Sequence, residues 1–193
     1  AVGNQNEENK VYINEGGTLA TIAGWVSADS DDTRSVAWGD VDGDGDLDLA
    51  VGNLGEANKV YFNEGGSLTT IPGWVSADND ATYSITWGDV DGDGDLDLAA
   101  GNNGLNKVYI NEGGILKLTA SWISVESDGT SSVAWGDVDD DGDLDLAAGN
   151  NGEANKLYFN EGGTLATIAG WTSAENDTTS SVAWGDVDGD GDL

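Results

Sequence analysis

The sequence predicts an all-β fold, a β-propeller of four-stranded antiparallel blades built from four repeats. Three observations carry this prediction. Trp25, Trp74, Trp122 and Trp171 recur at spacings of 49, 48 and 49 residues. Within each repeat, apolar and polar residues alternate in short segments, which is the period of β-strands. No stretch has the length and amphipathic pattern of a helix. Four short strands in a repeat of about 49 residues are typical of a propeller blade.

The strands follow one another in the same order in every repeat. In the first, "SVAWGD", Val36 and Trp38 alternate with small residues, and in the second, "DLDLAVGN", Leu47, Leu49 and Val51 do so. The segments "NKVYFNEGG" and "SLTTIPGWVS" supply the third and fourth strands. Glycine-containing turns at residues 52–55 and 63–66 connect them, the latter as a tight hairpin.

The repeats fill the chain as a single domain, at approximately residues 1–46, 47–95, 96–143 and 144–193. Residues 1–4 match residues 50–53, the end of a second strand, and residues 181–186 match a first strand. One blade is therefore predicted to be split between the termini. We expect residues 181–187 to pair beside residues 1–4, because exposed strand edges are seldom left open. Pairing within the chain closes a four-bladed ring and is favoured, whereas pairing with a neighbour gives a larger ring or an open filament.

The connection between the first and second strands is an aspartate loop, "DVDGDGDLD". Asp40, Asp42 and Asp44 are expected to direct carboxylates inward, Asp46 to offer its backbone carbonyl, and Asp48 to complete the shell. A hard cation that takes 6 to 8 oxygen ligands at roughly 2.3–2.6 Å suits this set, and calcium is the natural choice. An EF-hand is excluded because Val51 stands where its bidentate Glu belongs, as do Ala100 and Ala148 in the next copies.

The loop occurs four times, although two copies depart from the pattern. Asp140 replaces a glycine at the fourth position of the third copy, and the fourth copy ends before its ninth position and is expected to bind calcium weakly. The candidate metal ligands in these copies are Asp89, Asp91, Asp93, Asp95 and Asp97, then Asp137, Asp139, Asp141, Asp143 and Asp145, and finally Asp186, Asp188, Asp190 and Asp192.

The motif D-x-D-G-D-G-x-x-D, preceded by Trp38-Gly39 and followed by "LAVGN", resembles the FG-GAP/VCBS repeat of integrin-type β-propellers. The resemblance covers essentially the whole chain, with Trp in the place of the Phe in the family's first motif word. It implies calcium in the hairpin between a blade's first and second strands. It also implies an extracellular or cell-surface domain that acts in adhesion or recognition, and some fungal lectins use similar calcium-bearing blades.

The charge balance limits the partners. The chain has 37 acidic and 6 basic residues, for a formal net charge of -31. Nucleic acid and anionic membrane surfaces bind through Lys and Arg, so neither is expected as a partner. No apolar run approaches the roughly 20 residues that a membrane span requires. There is no Met, so we expect a chain that was processed or cut from a longer one.

Catalysis is not expected from this composition. The chain contains no His and no Cys, and most of its carboxylates belong to the aspartate loops. Among enzymes, a carboxylate-pair glycosidase is the class that this composition disfavours least. The repeats are nearly identical, which suits a multivalent glycan-binding module or a self-assembling structural unit of an extracellular filament or surface array.

The tryptophans and one Asn-Lys pair are the remaining candidates. Asn58 and Lys59, with their copies, are expected to tie a turn to a neighbouring blade. One tryptophan set is predicted to fill the core between blades, while the other either joins that core or stacks on a sugar ring. The first set is Trp38, Trp87, Trp135 and Trp184, and the second is Trp25, Trp74, Trp122 and Trp171.

Overall fold

The computed structural model describes all residues from 1 to 193 as β-strands and connecting loops. It contains no helix long and apolar enough to cross a membrane. The strands are β1 (Lys10–Val11), β2 (Asn14–Glu15), β3 (Thr18–Leu19), β4 (Trp25–Val26), β5 (Thr33–Gly39), β6 (Asp48–Asn53), β7 (Lys59–Tyr61), β8 (Trp74–Val75), β9 (Thr82–Gly88), β10 (Asp97–Tyr109), β11 (Trp122–Gly136), β12 (Asp145–Asn150), β13 (Lys156–Tyr158) and β14 (Trp171–Thr172).

One complete repeat forms a four-stranded antiparallel sheet in the order β5-β6-β7-β8, which we call unit 1 (residues 33–75). Val36 lies opposite Val51, and Val60 lies opposite Trp74. Every residue of the central strand β6 is buried, as expected of a strand covered on both faces. The predicted four-stranded repeat is confirmed.

Units 2 (residues 82–123) and 3 (residues 130–172) share one sheet of six strands in the order β14-β13-β12-β11-β10-β9. In unit 2 the connection between the second and third strands is one residue shorter than in unit 1, residues 101–106 against residues 52–58. Both strands therefore run on as the single strand β10. Strand β11 likewise joins the last strand of unit 2 to the first strand of unit 3.

The hairpin between the third and fourth strands has the predicted tight turn. Asn63 pairs with Leu68 in a β-bridge, and the amide of Glu64 donates to the carbonyl of Ser67 at 3.1 Å. Gly65 and Gly66 between them have φ values of 64° and 85°. Two successive residues with positive φ define the type I′ turn, which glycine adopts without a steric penalty.

Partial units lie at the two ends of the chain. In the N-terminal half-unit (residues 1–26), β1 pairs with β4 and Val2 bridges Lys10. In the C-terminal half-unit (residues 179–193), the amide of Thr179 donates to the Asn150 carbonyl at 3.0 Å and that of Val182 donates to the Ser132 hydroxyl at 3.2 Å. The amide of Thr33 in unit 1 donates to the Asn4 carbonyl at 3.0 Å, so each half-unit is held against its neighbour in the same chain.

No backbone hydrogen bond joins residues 181–187 to residues 1–4. The units form an open, curled sheet, so the closed four-bladed ring with one blade split between the termini is not confirmed. Residues 181–186, predicted as a first strand, form no strand, and residues 1–4 contribute only the bridge between Val2 and Lys10.

The first tryptophan set packs between units, as predicted. The indole of Trp87 lies on Gly39 of the preceding unit, where an added Cβ would come 2.7 Å from the ring. Trp135 lies on Gly88 and Trp184 on Gly136 in the same way. Trp38 has no such glycine before it and remains 39% exposed.

Three members of the second set are also part of the core between units. Trp25, Trp74 and Trp122 meet a tyrosine of the following unit edge to face, with ring centroids 5.1, 5.3 and 5.2 Å apart. Their indole N–H groups donate to backbone carbonyls of the next hairpin at 3.1–3.2 Å. Trp171 has no following tyrosine and is 51% exposed. The core interpretation is therefore correct for these three, which are not free to stack on a sugar.

Asn58 and Lys59 connect neighbouring units, as predicted. The Asn58 side chain accepts from the amide of Asn53 at 2.9 Å and donates to the Thr82 hydroxyl of unit 2 at 3.0 Å. The Lys59 ammonium lies 2.5 Å from Asp31 and 3.2 Å from Asp29, both in the segment that precedes unit 1.

The tryptophan–glycine contacts predict a stability difference between two equivalent positions. A Cβ at Gly88 would lie 2.6 Å from Trp135, whereas a Cβ at Gly185 meets nothing within 4 Å. We expect Gly88→Ala to lower the free energy of unfolding by about 1–3 kcal/mol through overpacking. Gly185→Ala, measured at the same low protein concentration, should leave it unchanged. Urea unfolding checks both, and equal effects of the two substitutions would contradict this account.

Candidate metal centres

Each aspartate loop turns between two strands because glycines occupy the positions that need positive φ. The first loop leaves β5 at Gly39 and enters β6 at Asp48. Gly43 and Gly45 have φ values of 74° and 94°. Non-glycine residues seldom adopt this conformation, although Asp is among the more tolerant. Asp140, at the fourth position of the third loop, has a φ of 59° and shows that the backbone shape is kept there.

Hydrogen bonds inside the loop fix the direction of its carboxylates. The amide of Gly45 donates to Asp40 at 3.0 Å, that of Asp44 to Asp42 at 3.3 Å, and that of Asp46 to Asp44 at 2.8 Å. These are short-range side-chain to backbone bonds of the kind that Asp forms in turns. They leave the remaining carboxylate oxygens free to converge.

Asp48 is fully buried and connects three parts of unit 1. Its Oδ2 accepts from the amide of Val41 in the loop at 3.0 Å, and its Oδ1 accepts from the amide of Asn63 in the hairpin at 2.8 Å. Asp97 makes the same two bonds in unit 2, and Asp145 makes them in unit 3. The ninth position therefore anchors the loop to the sheet.

Three carboxylates converge in every loop, with ligand oxygens that all lie within 4.8 Å of one another. Oxygens on a shell of about 2.3–2.6 Å radius are at most about 5 Å apart, so this spacing fits a single calcium ion. The converging sets are Asp40, Asp42 and Asp48, then Asp89, Asp91 and Asp97, then Asp137, Asp139 and Asp145, and finally Asp186, Asp188 and Asp190.

Two of these oxygens point to a cation independently of the clustering. Oδ1 of Asp40 and Oδ1 of Asp89 are buried and accept no hydrogen bond. An ionised carboxylate oxygen that is buried without a partner is costly, and a bound cation removes that cost. The donor set consists of oxygen alone, without His or Cys, which favours a hard ion such as calcium over zinc.

Burial also acts on the ionisation of the ninth-position carboxylates. It raises the pKa of Asp97 to about 6, and the charges of Asp91 and Asp93 add to the rise, while hydrogen bonds from two amides oppose it. Burial raises the pKa of Asp48 and that of Asp145 as well. The raised pKa of these carboxyl groups thus comes mainly from their burial, and neighbouring aspartates contribute less. A divalent cation in the loop favours the ionised form and acts in the opposite direction.

The remaining predicted ligands lie outside the converging sets of three. The Asp46 carboxylate accepts from the amide of Gly65 at 2.9 Å, and Asp95 and Asp143 make the equivalent bond in units 2 and 3. This contact with the hairpin was not predicted from the sequence, where Asp46 was expected to contribute its carbonyl. Asp44, Asp93 and Asp141 instead accept from the amide two residues further on.

The fourth loop has the same start and no anchor. Asp186 accepts from the amides of Gly189 and Gly191 at 2.6 and 3.0 Å, so its turn is formed as in the other loops. All three of its converging carboxylates are exposed. Asp190 takes the third place in this set, where each of the other three sets has a buried carboxylate.

Two hairpin asparagines connect the first and second metal loops to the following unit, and they are not among the residues predicted from the sequence. Nδ2 of the buried Asn111 donates to the carbonyl of Val41 at 2.7 Å, and Asn160 donates to Val90 at the same distance. The signal for these residues is their recurrence before each "EGG" turn. They couple the shape of one loop to the position of the next unit.

Comparison with known proteins identifies the repeat. No curated protein matches the chain. The model of the FG-GAP-like repeat family matches it four times, at residues 1–51, 40–100, 89–148 and 137–193. These matches together span the whole sequence, and each pair of neighbouring matches overlaps at an aspartate loop. The chain belongs to the FG-GAP-like repeat family.

Proposed function

We propose that the protein is a non-enzymatic calcium-binding repeat domain whose bound ions hold its units in register. The observation that carries this proposal is the convergence of three carboxylates in each loop, with a buried and unpartnered oxygen in two of them. Asp48 and its equivalents bind the loop, the second strand and the hairpin together. A calcium ion bound by Asp48 or its equivalents would strengthen this contact between the loop, the second strand and the hairpin.

Charge supports a structural role for the ion. With three divalent ions, the formal charge changes from -31 to about -25. The larger effect is local, because like charges about 4 Å apart near a protein surface repel by roughly 4 kcal/mol. Without calcium, each loop is a self-repelling cluster at the root of two adjacent strands.

We further propose that the domain acts outside the cell or at its surface, in adhesion or recognition. Membership of the FG-GAP-like repeat family supports this role. Calcium sites of extracellular modules have dissociation constants of roughly 10⁻⁴–10⁻³ M. Partly exposed loops such as these suit that range. A measured dissociation constant far below it, which means much tighter binding, would count against an extracellular setting.

Glycan recognition is the more specific form of this proposal, and one surface suits it. A polar cleft of about 250 Å³ lies at the junction of units 2 and 3 and includes Tyr83, Asn103, Asn151 and Glu153. Tyr83 is 37% exposed and offers an aromatic face beside amide and carboxylate groups. The repeats differ at this strand position, where the other copies carry Arg34, Ser131 and Ser180.

A second candidate function is a self-assembling unit of an extracellular filament or surface array. Residues 181–187 match a first strand and residues 1–4 match the end of a second strand, but neither segment forms a strand and the two do not pair with each other in this chain. A segment with the sequence of a strand and no strand partner is a place at which another chain can pair.

Calcium should stabilise the protein substantially. At ten times the dissociation constant each site adds about 1.4 kcal/mol, so three sites add about 4 kcal/mol. For a chain of this size that corresponds to a rise in Tm of roughly 10 °C. Calorimetry in calcium and in chelator measures the shift, with magnesium as the control because it requires a stricter octahedral shell. An unchanged Tm would rule out a structural role for calcium.

Substitution of one loop carboxylate should have opposite effects on stability in chelator and in calcium. Asp89→Asn removes a like charge, so in chelator the variant should be at least as stable as the wild type. At ten times the dissociation constant of calcium, loss of that site should lower its stability by about 1.4 kcal/mol relative to the wild type. Glu64→Gln, which removes an exposed charge from a hairpin, is the matched control. A deficit of equal size in chelator would indicate a packing defect rather than a lost ion.

A glycan array tests the recognition proposal. We expect the calcium-loaded wild type to bind a subset of sugars, and Tyr83→Ala to lose at least tenfold in affinity without a change in Tm. Ser180→Ala, at the same strand position of the C-terminal half-unit and outside the cleft, is the control and should keep full binding. Arg34 is unsuitable as a control, because its guanidinium lies 6.0 Å from the centroid of the Tyr83 ring. Absence of binding to every sugar would reject glycan recognition and leave the calcium proposal intact.

A further inference from the structure

We propose that the calcium sites of neighbouring units are coupled, so that an ion in one loop raises the affinity of the next, and that Asn111 and Asn160 are the positioning residues that carry this coupling. The inference deepens the calcium proposal above and rests on it. We call the loops concerned loop 1 (residues 40–48), loop 2 (residues 89–97) and loop 3 (residues 137–145). A continuous series of hydrogen bonds joins them across two junctions between units.

The first junction connects the ninth-position carboxylates of loops 1 and 2. In loop 1, the amide of Val41 donates to Asp48 at 3.0 Å. The carbonyl of Val41 accepts from Nδ2 of Asn111 at 2.7 Å. The backbone amide of Asn111 in turn donates to Oδ1 of Asp97 at 2.8 Å. Asn111 therefore contacts both loops, one through its side chain and the other through its backbone.

The second junction repeats these contacts between loops 2 and 3. The amide of Val90 donates to Oδ2 of Asp97 at 2.9 Å, and its carbonyl accepts from Nδ2 of Asn160 at 2.7 Å. The backbone amide of Asn160 donates to Oδ1 of Asp145 at 2.8 Å. Asp97 thus accepts from Asn111 through one oxygen and from Val90 through the other. A single series of hydrogen bonds consequently runs through all three ninth-position carboxylates.

Both asparagines are held rigidly by two units at once. Asn111 and Asn160 are each 0% exposed. Besides the carbonyl in the preceding unit, Nδ2 of each contacts a carbonyl of its own unit, that of Leu96 at 3.3 Å and that of Leu144 at 3.2 Å. Water cannot replace a lost partner at a buried amide group, so breaking such a bond is costly. A shift of the loop carbonyl must therefore either move the asparagine or leave a buried polar group unpaired.

A steric contact accompanies the hydrogen bond at each junction. Gly114, in the same hairpin as Asn111, lies against the backbone of Asp42, where an added Cβ would come 3.0 Å from the carbonyl oxygen. Gly163 lies against Asp91 in the same way, at a corresponding distance of 2.9 Å. Asp42 and Asp91 belong to the converging carboxylates of loops 1 and 2. The hairpin of one unit thus touches a candidate metal ligand of the unit before it.

An ion in one loop should therefore favour binding at the next. In the absence of calcium, repulsion between its carboxylates opposes the converged shape of a loop. An ion in loop 1 holds the Val41 carbonyl in the position at which Asn111 donates to it, and the backbone of Asn111 holds the Asp97 carboxylate of loop 2. The second ion then binds a loop that is already ordered, so less ordering opposes its binding. By linkage, an ion in loop 2 has the same effect on loop 1.

Charge alone predicts a coupling of the opposite sign. Each bound ion neutralises part of the acidic surface and so weakens the attraction of the chain for the next ion. Salt at about 0.15 M limits this effect to roughly 8 Å. Binding that is steeper than that of independent sites therefore requires contact between the units and does not follow from their charge.

A calcium titration followed by two-dimensional NMR tests the inference, because each loop has its own reporter. A glycine amide in each loop donates to the carboxylate at the first position, and these glycines are Gly45, Gly94 and Gly142. In salt at about 0.15 M, we expect the three reporters of the wild type to change over the same range of calcium. The change should be steeper than for independent sites, with a Hill coefficient above 1.

Substitution of one asparagine should separate one loop from the other two. In Asn111→Ala, half-saturation of loop 1 should need at least about fivefold more calcium, which is the lower end of typical coupling between sites. Loops 2 and 3 should still titrate together. In Asn160→Ala, loop 3 should separate instead, while loops 1 and 2 stay together. A general loss of stability would not change which loop is affected.

Asn63→Ala is the matched control for both variants. Asn63 holds the same hairpin position in unit 1, and its amide group donates within its own unit, to the carbonyl of Leu47 at 3.1 Å. The substitution therefore removes an equivalent bond without removing one between two of the loops. All three loops should titrate together in this variant, as in the wild type.

A glycine substitution tests the coupling without changing a buried asparagine. The Cβ of Gly114→Ala presses on Asp42, so the calcium affinity of loop 1, in the preceding unit, should fall more than that of loop 2. Gly66→Ala is the control, because Gly66 holds the same turn position with a φ of 85° against 79° for Gly114, and a Cβ there meets nothing within 4 Å. Both variants share the strain of a positive φ, so the difference between them reports the contact with the loop.

Three results would overturn the inference while calcium still binds. The first is a wild type whose loops titrate independently, with a Hill coefficient of 1 or less. The second is an Asn111→Ala variant that shifts all three loops equally, and the third is an equal effect of Gly66→Ala and Gly114→Ala on loop 1. The calcium proposal would survive each of these results. An absence of any calcium-dependent change at the three glycine reporters would instead reject that proposal, and this inference with it.

Discussion

A carboxylate buried at the start of each second strand is the constraint on which the rest of the array depends. Asp48 accepts from an amide of the loop before it and from an amide of the hairpin that follows the third strand. A buried charge is tolerated only where hydrogen bonds or ions compensate it. The loop, the second strand and the hairpin must therefore keep fixed positions relative to one another. These positions determine where the metal ligands lie.

The same contacts between neighbouring units recur along the chain and keep each unit in the same position relative to the one before it. An indole lies on a first-strand glycine, a second indole meets a tyrosine, and a hairpin asparagine reaches back to a loop carbonyl. Every unit touches only its neighbours, so stability is approximately a sum of unit and junction terms. The side chains that pack between units are accordingly buried where a neighbouring unit is present, as Trp74 and Leu165 are, and exposed where it is not, as Trp171 and Leu19 are.

Much of the fold could be predicted because its signals are local. Alternation around Val36 and Trp38 gave the first strand, the glycine pair at Gly65 and Gly66 gave the hairpin, and the spacing of the aspartates gave the converging carboxylates. Contacts between distant residues left no such local signal. Neither the bond from Asn111 to Val41, 70 residues away, nor that from Gly65 to Asp46 follows from a pattern within one loop.

The closure of the ring illustrates the same limit. The two ends of the chain resemble the second and first strands of a complete unit, which predicts that they can pair with each other. The same resemblance would allow pairing within one chain or between two copies. The choice between them depends on the curvature of the array, and therefore on the packing between units, of which the contact between each tryptophan and a glycine of the preceding unit is one part. Curvature is a property of that packing rather than of any single residue type.

The single missing residue in the second connection of unit 2 has a consequence for how the chain unfolds. Because β10 and β11 run without interruption, units 2 and 3 share one sheet, whereas unit 1 is a sheet of its own that an isolated bridge between Leu54 and Ala81 joins to unit 2. Hydrogen exchange should accordingly find units 2 and 3 opening as one cooperative block, apart from unit 1. One residue fewer in a nearly uniform repeat thus merges two units into a single cooperative element.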